Sequence, residues 1–161
     1  MIKYVSGDIL LTKAEAVAHG VAPNDNFKQG LAFSLREQWP AMYKDFRHFC
    51  KETHPKEGGV WSWKGPGGPI VYNLLTQEHP PSNDSHPGKA KLSYLRSSLK
   101  ELRTQAETDN VKSLALPKVA TGVGGLAWED VKPVIEEAFS EVGFPVFVYE
   151  TFQKNTEAKE V

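Results

Sequence analysis

Cysteine is nearly absent from this 161-residue chain: Cys50 stands alone, which excludes an intramolecular disulfide and any cysteine-rich zinc site. Long apolar runs are also missing. None approaches the roughly 18 residues of a membrane span, and the opening MIKYVSGD has no signal-peptide organisation. No excess of positive charge announces a nucleic-acid binder, since 19 Lys and Arg meet 20 Asp and Glu for a net charge of -1. The histidines at 19, 48, 54, 79 and 86 are scattered without HExxH spacing, so no metal site is expected. Internal repeats are absent too. The remaining expectation is one cytosolic or nuclear domain, monomeric and without contact to a membrane.

What is present is ordinary globular composition, 40% hydrophobic and 24% charged, in a length that suits a single core. Ile2 to Val5 reads as a short strand before a Ser-Gly-Asp turn. Residues 14 to 22, AEAVAHGVA, are apolar at nearly every position, as in a strand buried on both faces. A polar loop, PNDNFKQG, leads to a helix carrying Leu31, Ala32, Leu35 and Trp39. Pro40 interrupts it, and a second helical segment follows with Tyr43, Phe46 and Phe49. VWSWK reads as an edge strand, and its Trp61 and Trp63 suit either packing or base stacking.

IVYNLLT at 70 to 76 is another buried strand, followed by the long polar loop QEHPPSNDSHPGK. Leu92, Leu95, Leu99 and Leu102 mark a long helix. SLALPKV is the next strand, Val131 to Val142 the last helix, and PVFVYE the last strand. Strands alternating with helices predict a three-layer α/β/α domain with a mixed, largely parallel central sheet over residues 1–151, and residues 152–161 read as a flexible tail. In such sheets ligands settle beyond the carboxyl ends of the strands, where the loops after Ala22, Thr76 and Val119 would converge.

The loop PKVATGVGGLAWEDV, 117 to 131, is the most specific feature. Gly122, Gly124 and Gly125 allow successive N–H groups to turn toward one anion, and the following helix would add its positive end. Glu129 and Asp130 in that first helical turn satisfy the same preference without a ligand. The loop lacks the Lys-Ser/Thr ending of a nucleoside-triphosphate loop.

YVSGDIL (4–10), VAHGVAPNDNFKQGLAFSL and LPKVATGVGGLAWEDVKPVIEEAF together resemble the macrodomains, which bind ADP-ribose. The string GVGGLAW resembles in particular the branch with the terminal ADP-ribose protein glycohydrolase, the DNA ADP-ribosylation antitoxin macrodomain and the yeast ADP-ribose-1''-phosphate phosphatase. The resemblance implies that Asp8 accepts a hydrogen bond from the adenine amine beside the Ile9 N–H. It implies that Thr121, Gly122, Val123 and Gly124 wrap the diphosphate, with Val119 also among the ligand-binding residues. Ala22, Gly30 and Leu31 would form the opposite wall near the distal ribose, and Thr76 would close the end of its strand. No cofactor is implied, and a nucleic acid would enter only as a modified substrate.

The glycohydrolase lysine after the strand threonine is replaced by Gln77, and the aspartate of its glycine loop by Gly124, which removes that mechanism. Lys28, in the distal wall, is a candidate for a further anion. The phosphatase matches better around SNDSHPGK and at His19, which could protonate a leaving oxygen or position water. His19 and Asn24 are therefore the candidate catalytic residues, with Asp84, Ser85 and His86 as candidates to order water. The expected activity is hydrolysis of an ADP-ribose derivative at the distal ribose, first ADP-ribose-1''-phosphate. Removal of ADP-ribose from protein or nucleic acid, and a non-catalytic reader, are the alternatives.

Overall fold

The structure, a computed structural model, describes residues 1–82 and 85–161. Six strands form one sheet in the order β1-β6-β5-β2-β4-β3. They are β1 (Ile2–Gly7), β2 (Ala16–Val21), β3 (Val60–Lys64), β4 (Ile70–Leu75), β5 (Leu114–Pro117) and β6 (Val146–Phe152). All neighbours run parallel except the edge strand β3, which is antiparallel to β4. The sheet is thus mixed and largely parallel, as the apolar runs separated by helical periods predict.

The helices are α1 (Gly30–Gln38), α2 (Pro40–Thr53), α3 (Leu92–Thr108) and α4 (Trp128–Ala138). Pro40 both ends α1 and begins α2, where its missing N–H and fixed φ are harmless. None is long and apolar enough to cross a membrane among the described residues.

Alternation along each strand sends side chains to two faces. Ala16, Ala18, Tyr72, Leu74, Leu116, Val146 and Val148 pack with Leu95, Leu99 and Leu102 of α3 and Val131, Val134 and Ile135 of α4. On the other face Val21, Val71 and Leu75 meet Leu35 of α1 and Met42, Phe46 and Cys50 of α2. Trp61 stacks on Phe49 with centroids 5.5 Å apart, and Trp63 donates its indole N–H to Asp45, so both tryptophans pack the edge strand rather than present a stacking platform.

Over β1, β5 and β6 that second face is covered by a 3₁₀ turn at Ile9–Leu11, by Leu31 of α1 and by Ala158, from beyond the last strand, which pack against Val5, Ala115, Phe147 and Tyr149.

Candidate functional site

β2 and β5 pair only through Ala16/Leu114 and Val17/Ala115, and then part. β2 continues beside β4 through Val21/Leu75, while β5 continues beside β6 through Pro117/Tyr149. Neighbouring parallel strands that turn to opposite partners leave a crevice at their carboxyl ends, and a cavity of about 480 Å³ occupies it here. Its walls come from His19 and Gly20 on β2, residues 117–124 after β5, residues 149–152 of β6, the segment 25–32, and Gln77 and Pro87.

The glycine loop forms one wall. The backbone N–H groups of Thr121, Gly122, Val123 and Gly124 donate to no described residue, whereas the next two, of Gly125 and Leu126, close the turn onto Gly122 and Ala120. Consecutive N–H groups of this kind in a cavity wall are of the type that suits an anion. Gly124 is needed for space: a Cβ there would lie 2.6 Å from the Ala120 carbonyl oxygen and 2.9 Å from Ala90 Cβ. Gly125 is needed for conformation, at φ 76, and Ala120 accepts a left-handed φ of 65 in the same turn. The helix that the sequence places directly behind this loop contributes less than expected. α4 begins only at Trp128, outside the cavity lining, with Glu129 and Asp130 in its first turn.

The opposite wall carries the helix end instead. α1 starts at Gly30, whose φ is 62, and its N-terminal neighbour Gln29 makes no capping side-chain bond. Gly30, Leu31 and Ala32, the first turn, line the cavity, so uncapped N–H groups and the positive end of the helix dipole lie there. The preceding loop is held from within: the Asp25 carboxylate accepts from the N–H groups of Ala22 and Phe27 at 3.0 and 2.8 Å. Burial pushes the Asp25 carboxyl above the usual carboxylate range, opposed by those two bonds. Arg47 donates to the carbonyls of Asn24 and Asp25, and Phe27, fully buried, packs on Tyr43 and Phe46. Over the rim, Asn26 donates to the Ser85 carbonyl, and Gln29 Nε2 lies 3.0 Å from His86 Nδ1.

At the floor, His19 is 2% exposed, with Nε2 2.6 Å from Asn73 Oδ1. Asn73 donates its amide N–H to the Trp61 carbonyl, which turns its oxygen toward the imidazole. Nε2 must therefore carry the proton, and Nδ1, which has no partner among the described residues, is left as an acceptor. Burial, only partly offset by the Asn73 bond, lowers the His19 pKa from 6.5 to about 4. A neutral imidazole of this kind accepts a proton or a hydrogen bond; it does not donate a proton at neutral pH. Gln77 is tied down, its Nε2 donating to the Gly88 carbonyl at 3.1 Å.

Of the residues singled out from sequence, His19, Gly30, Leu31, Val119, Thr121, Gly122, Val123 and Gly124 line this one cavity. Ala22 and Thr76 are fully buried and lie outside the lining. Asn24, at φ 57, lines a neighbouring cleft with Arg47, Cys50 and His79 rather than the cavity. Asp8 and Ile9 are buried under the chain's last residues and also lie outside the lining. Asp84 falls outside the described residues. Sequence reasoning missed the end of β6, where Tyr149 to Phe152 form a third wall and Phe152 is 68% exposed. The available signal was positional, because β6 ends on the same edge of the sheet as β2 and β5. Among the described residues Glu57, Glu78 and His79 are close enough to share a metal ion, but they lie outside the cavity, with Glu57 bound to His79 and Glu78 paired with Lys91.

The Macro domain family model matches residues 40–135. A DNA ADP-ribosyl glycohydrolase of Thermus aquaticus is 29% identical over 93% of this chain and 41% of its own length. The chain thus spans about two fifths of that relative. Human ADP-ribose glycohydrolase OARD1 is 26% identical over 92% of this chain and 90% of its own length. The solved macrodomain of Thermus aquaticus DarG superposes with a TM-score of 0.81 at 27% identity, covering 93% of this chain and 98% of that one.

Proposed function

The chain belongs to the Macro domain family, and on that premise we propose that it binds ADP-ribose and hydrolyses an ADP-ribose derivative at the distal ribose. The observation that carries this reading is the pair of anion-seeking walls across one cavity: four unpartnered N–H groups at Thr121–Gly124 and the uncapped start of α1 at Gly30. A diphosphate with a ribose beyond it suits such donors and needs no P-loop lysine.

For the chemistry, water attacks C1'' of the distal ribose, the bond from C1'' to the conjugated group breaks, and free ADP-ribose leaves. His19 lines the cavity with its Nδ1 buried, so the proton released by the attacking water passes to the departing group rather than to the imidazole. The relative named a DNA ADP-ribosyl glycohydrolase favours a conjugate of ADP-ribose with DNA as the substrate class, with another ADP-ribose conjugate as the alternative. The lysine and aspartate of the glycohydrolase mechanism have no counterpart, because Gln77 is bound to the loop carbonyl of Gly88 and position 124 has no room for a side chain. Catalysis here rests on positioning and on the N–H donors, which predicts modest turnover.

One observation favours a second substrate, ADP-ribose-1''-phosphate. Lys28 is an exposed cation in the wall of the cavity, placed to meet an anion at the distal ribose. Attack of water on phosphorus would then release inorganic phosphate.

The test is calorimetric titration with ADP-ribose, followed by incubation with ADP-ribosylated oligonucleotide, ADP-ribosylated protein and ADP-ribose-1''-phosphate. Binding with release of ADP-ribose from either macromolecule supports the first reading; phosphate release alone selects the second. Binding without turnover of any of them makes the protein a reader, and no binding removes the proposal.

A further inference from the structure

The residues beyond β6 lie against Asp8, which the resemblance to the macrodomains reads as the adenine acceptor. After Phe152 the chain turns back along the end of β1: Gln153 donates its N–H to the Gly7 carbonyl at 3.0 Å, and the Asp8 N–H donates to the Thr156 carbonyl at 2.7 Å. The N–H of Asn155 donates to Asp8 Oδ2 at 3.1 Å, while Asp8 Oδ1 accepts from the Leu10 N–H. Farther on, the Glu160 carboxylate accepts from the Thr12 hydroxyl, the Lys13 N–H and the Tyr149 hydroxyl.

This segment sits close to the strand it covers. A Cβ on Gly7 would come within 2.9 Å of Ala158 Cβ. Asp8 is consequently only 5% exposed, and the cavity stops at Tyr149–Phe152 without reaching it. Yet the segment is held mainly by polar contacts. Residues 153–157 are exposed, and Ala158 is the one residue of the segment that packs into the apolar cluster beneath. Segments with many solvent-facing hydrogen bonds and little buried apolar area open at low free energy.

We propose that residues 153–160 and the purine of ADP-ribose compete for Asp8, so that the chain carries an internal occupant of the adenine end of its own cleft. This rests on the reading of Asp8 as the adenine acceptor. The body of the segment, rather than the number of lone pairs on the carboxylate, excludes the exocyclic amine, because an ionised carboxylate retains further acceptor sites. Lifting the segment frees Asp8 Oδ2 and extends the cavity past Phe152 toward β1. Affinity for ADP-ribose is then reduced by the fraction of molecules with the segment docked, about tenfold if it is docked nine-tenths of the time.

The experiment compares ADP-ribose affinity of the intact chain with that of Glu160→Ala, which removes the acceptor shared by Thr12, Lys13 and Tyr149, and of a chain ended after Phe152. Hydrogen exchange at the Asn155 amide is followed in the intact chain with and without saturating ADP-ribose. Both variants should bind several-fold more tightly, and ligand should release protection at Asn155. Should the shortened chain fail to fold, Glu160→Ala and the exchange measurement still decide the matter. Unchanged or weaker binding in the variants, with Asn155 still protected in the complex, overturns the proposal and makes the segment a fixed wall of the site. Absence of ADP-ribose binding in every variant is a separate result, which removes the ligand reading itself.

Discussion

His19 Nε2 and Asn73 Oδ1, on paired residues of β2 and β4, lie 2.6 Å apart with His19 fully enclosed. Because Asn73 is itself oriented by the Trp61 carbonyl, this one contact fixes the tautomer of the imidazole and leaves Nδ1 as a buried acceptor. The expected result of nitrogen NMR on the labelled protein is an Nε2-protonated, neutral ring throughout pH 6 to 8. A cationic ring in that range, or a proton on Nδ1, would contradict the assignment.

The same burial gives a stability signature. The folded pKa of about 4 lies below the unfolded value of 6.5, so the unfolded chain binds the proton more readily between those values. Stability carried by the neutral ring is therefore complete above pH 6.5 and is lost as the pH falls toward 4, by about 3 kcal/mol over the window. Urea midpoints of the wild type and His19→Leu, measured from pH 7 to pH 4, should converge by that order as the wild type weakens. Parallel curves would mean that His19 does not titrate in this way.

Gly124→Val tests the glycine wall. The added side chain has nowhere to go between the Ala120 carbonyl and Ala90, so the loop must shift and its four N–H groups lose their common focus. Affinity for ADP-ribose should fall about 5- to 150-fold, by roughly 1 to 3 kcal/mol. Retention of wild-type affinity by a folded Gly124→Val protein would place the diphosphate elsewhere.

Lys28→Ala separates the two substrate readings. An exposed lysine contributes mainly through its charge on a nearby anion, about 1 kcal/mol in water at 4 Å. The substitution should leave ADP-ribose affinity within about twofold and weaken ADP-ribose-1''-phosphate by about fivefold, an effect that fades above 0.5 M salt. Equal effects on both ligands would detach Lys28 from the terminal phosphate.

Phe27 joins the distal loop to the core. It is fully buried against His19, Tyr43 and Phe46 despite a left-handed φ of 53. Phe27→Ala should cost about 3 to 5 kcal/mol in chemical denaturation. A cost below about 1 kcal/mol would mean that the loop is not anchored through this ring.

Much of this protein was legible in its sequence. Apolar runs such as AEAVAHGVA and IVYNLLT declare buried parallel strands, Pro40 declares the break between α1 and α2, and the glycines of GVGGLAW declare a tight turn after β5, because each of these is set by neighbours within a few residues. Tertiary structure decided what depends on distant partners. The early parting of β2 from β5 opened the cavity, and the carbonyl of Trp61, on another strand, chose the tautomer of His19. The uncapped helix end in the cavity turned out to be that of α1 rather than α4. The residues after Phe152, whose polar sequence suggests only a tail, lie across Asp8 because the backbone groups at the end of β1 and the Asp8 carboxylate pair with them and Ala158 packs into the cluster beneath. Local pattern fixes which segments are strands, helices and turns; which buried polar atoms meet, and which are left open to a ligand, is settled only when segments far apart in the chain are brought together.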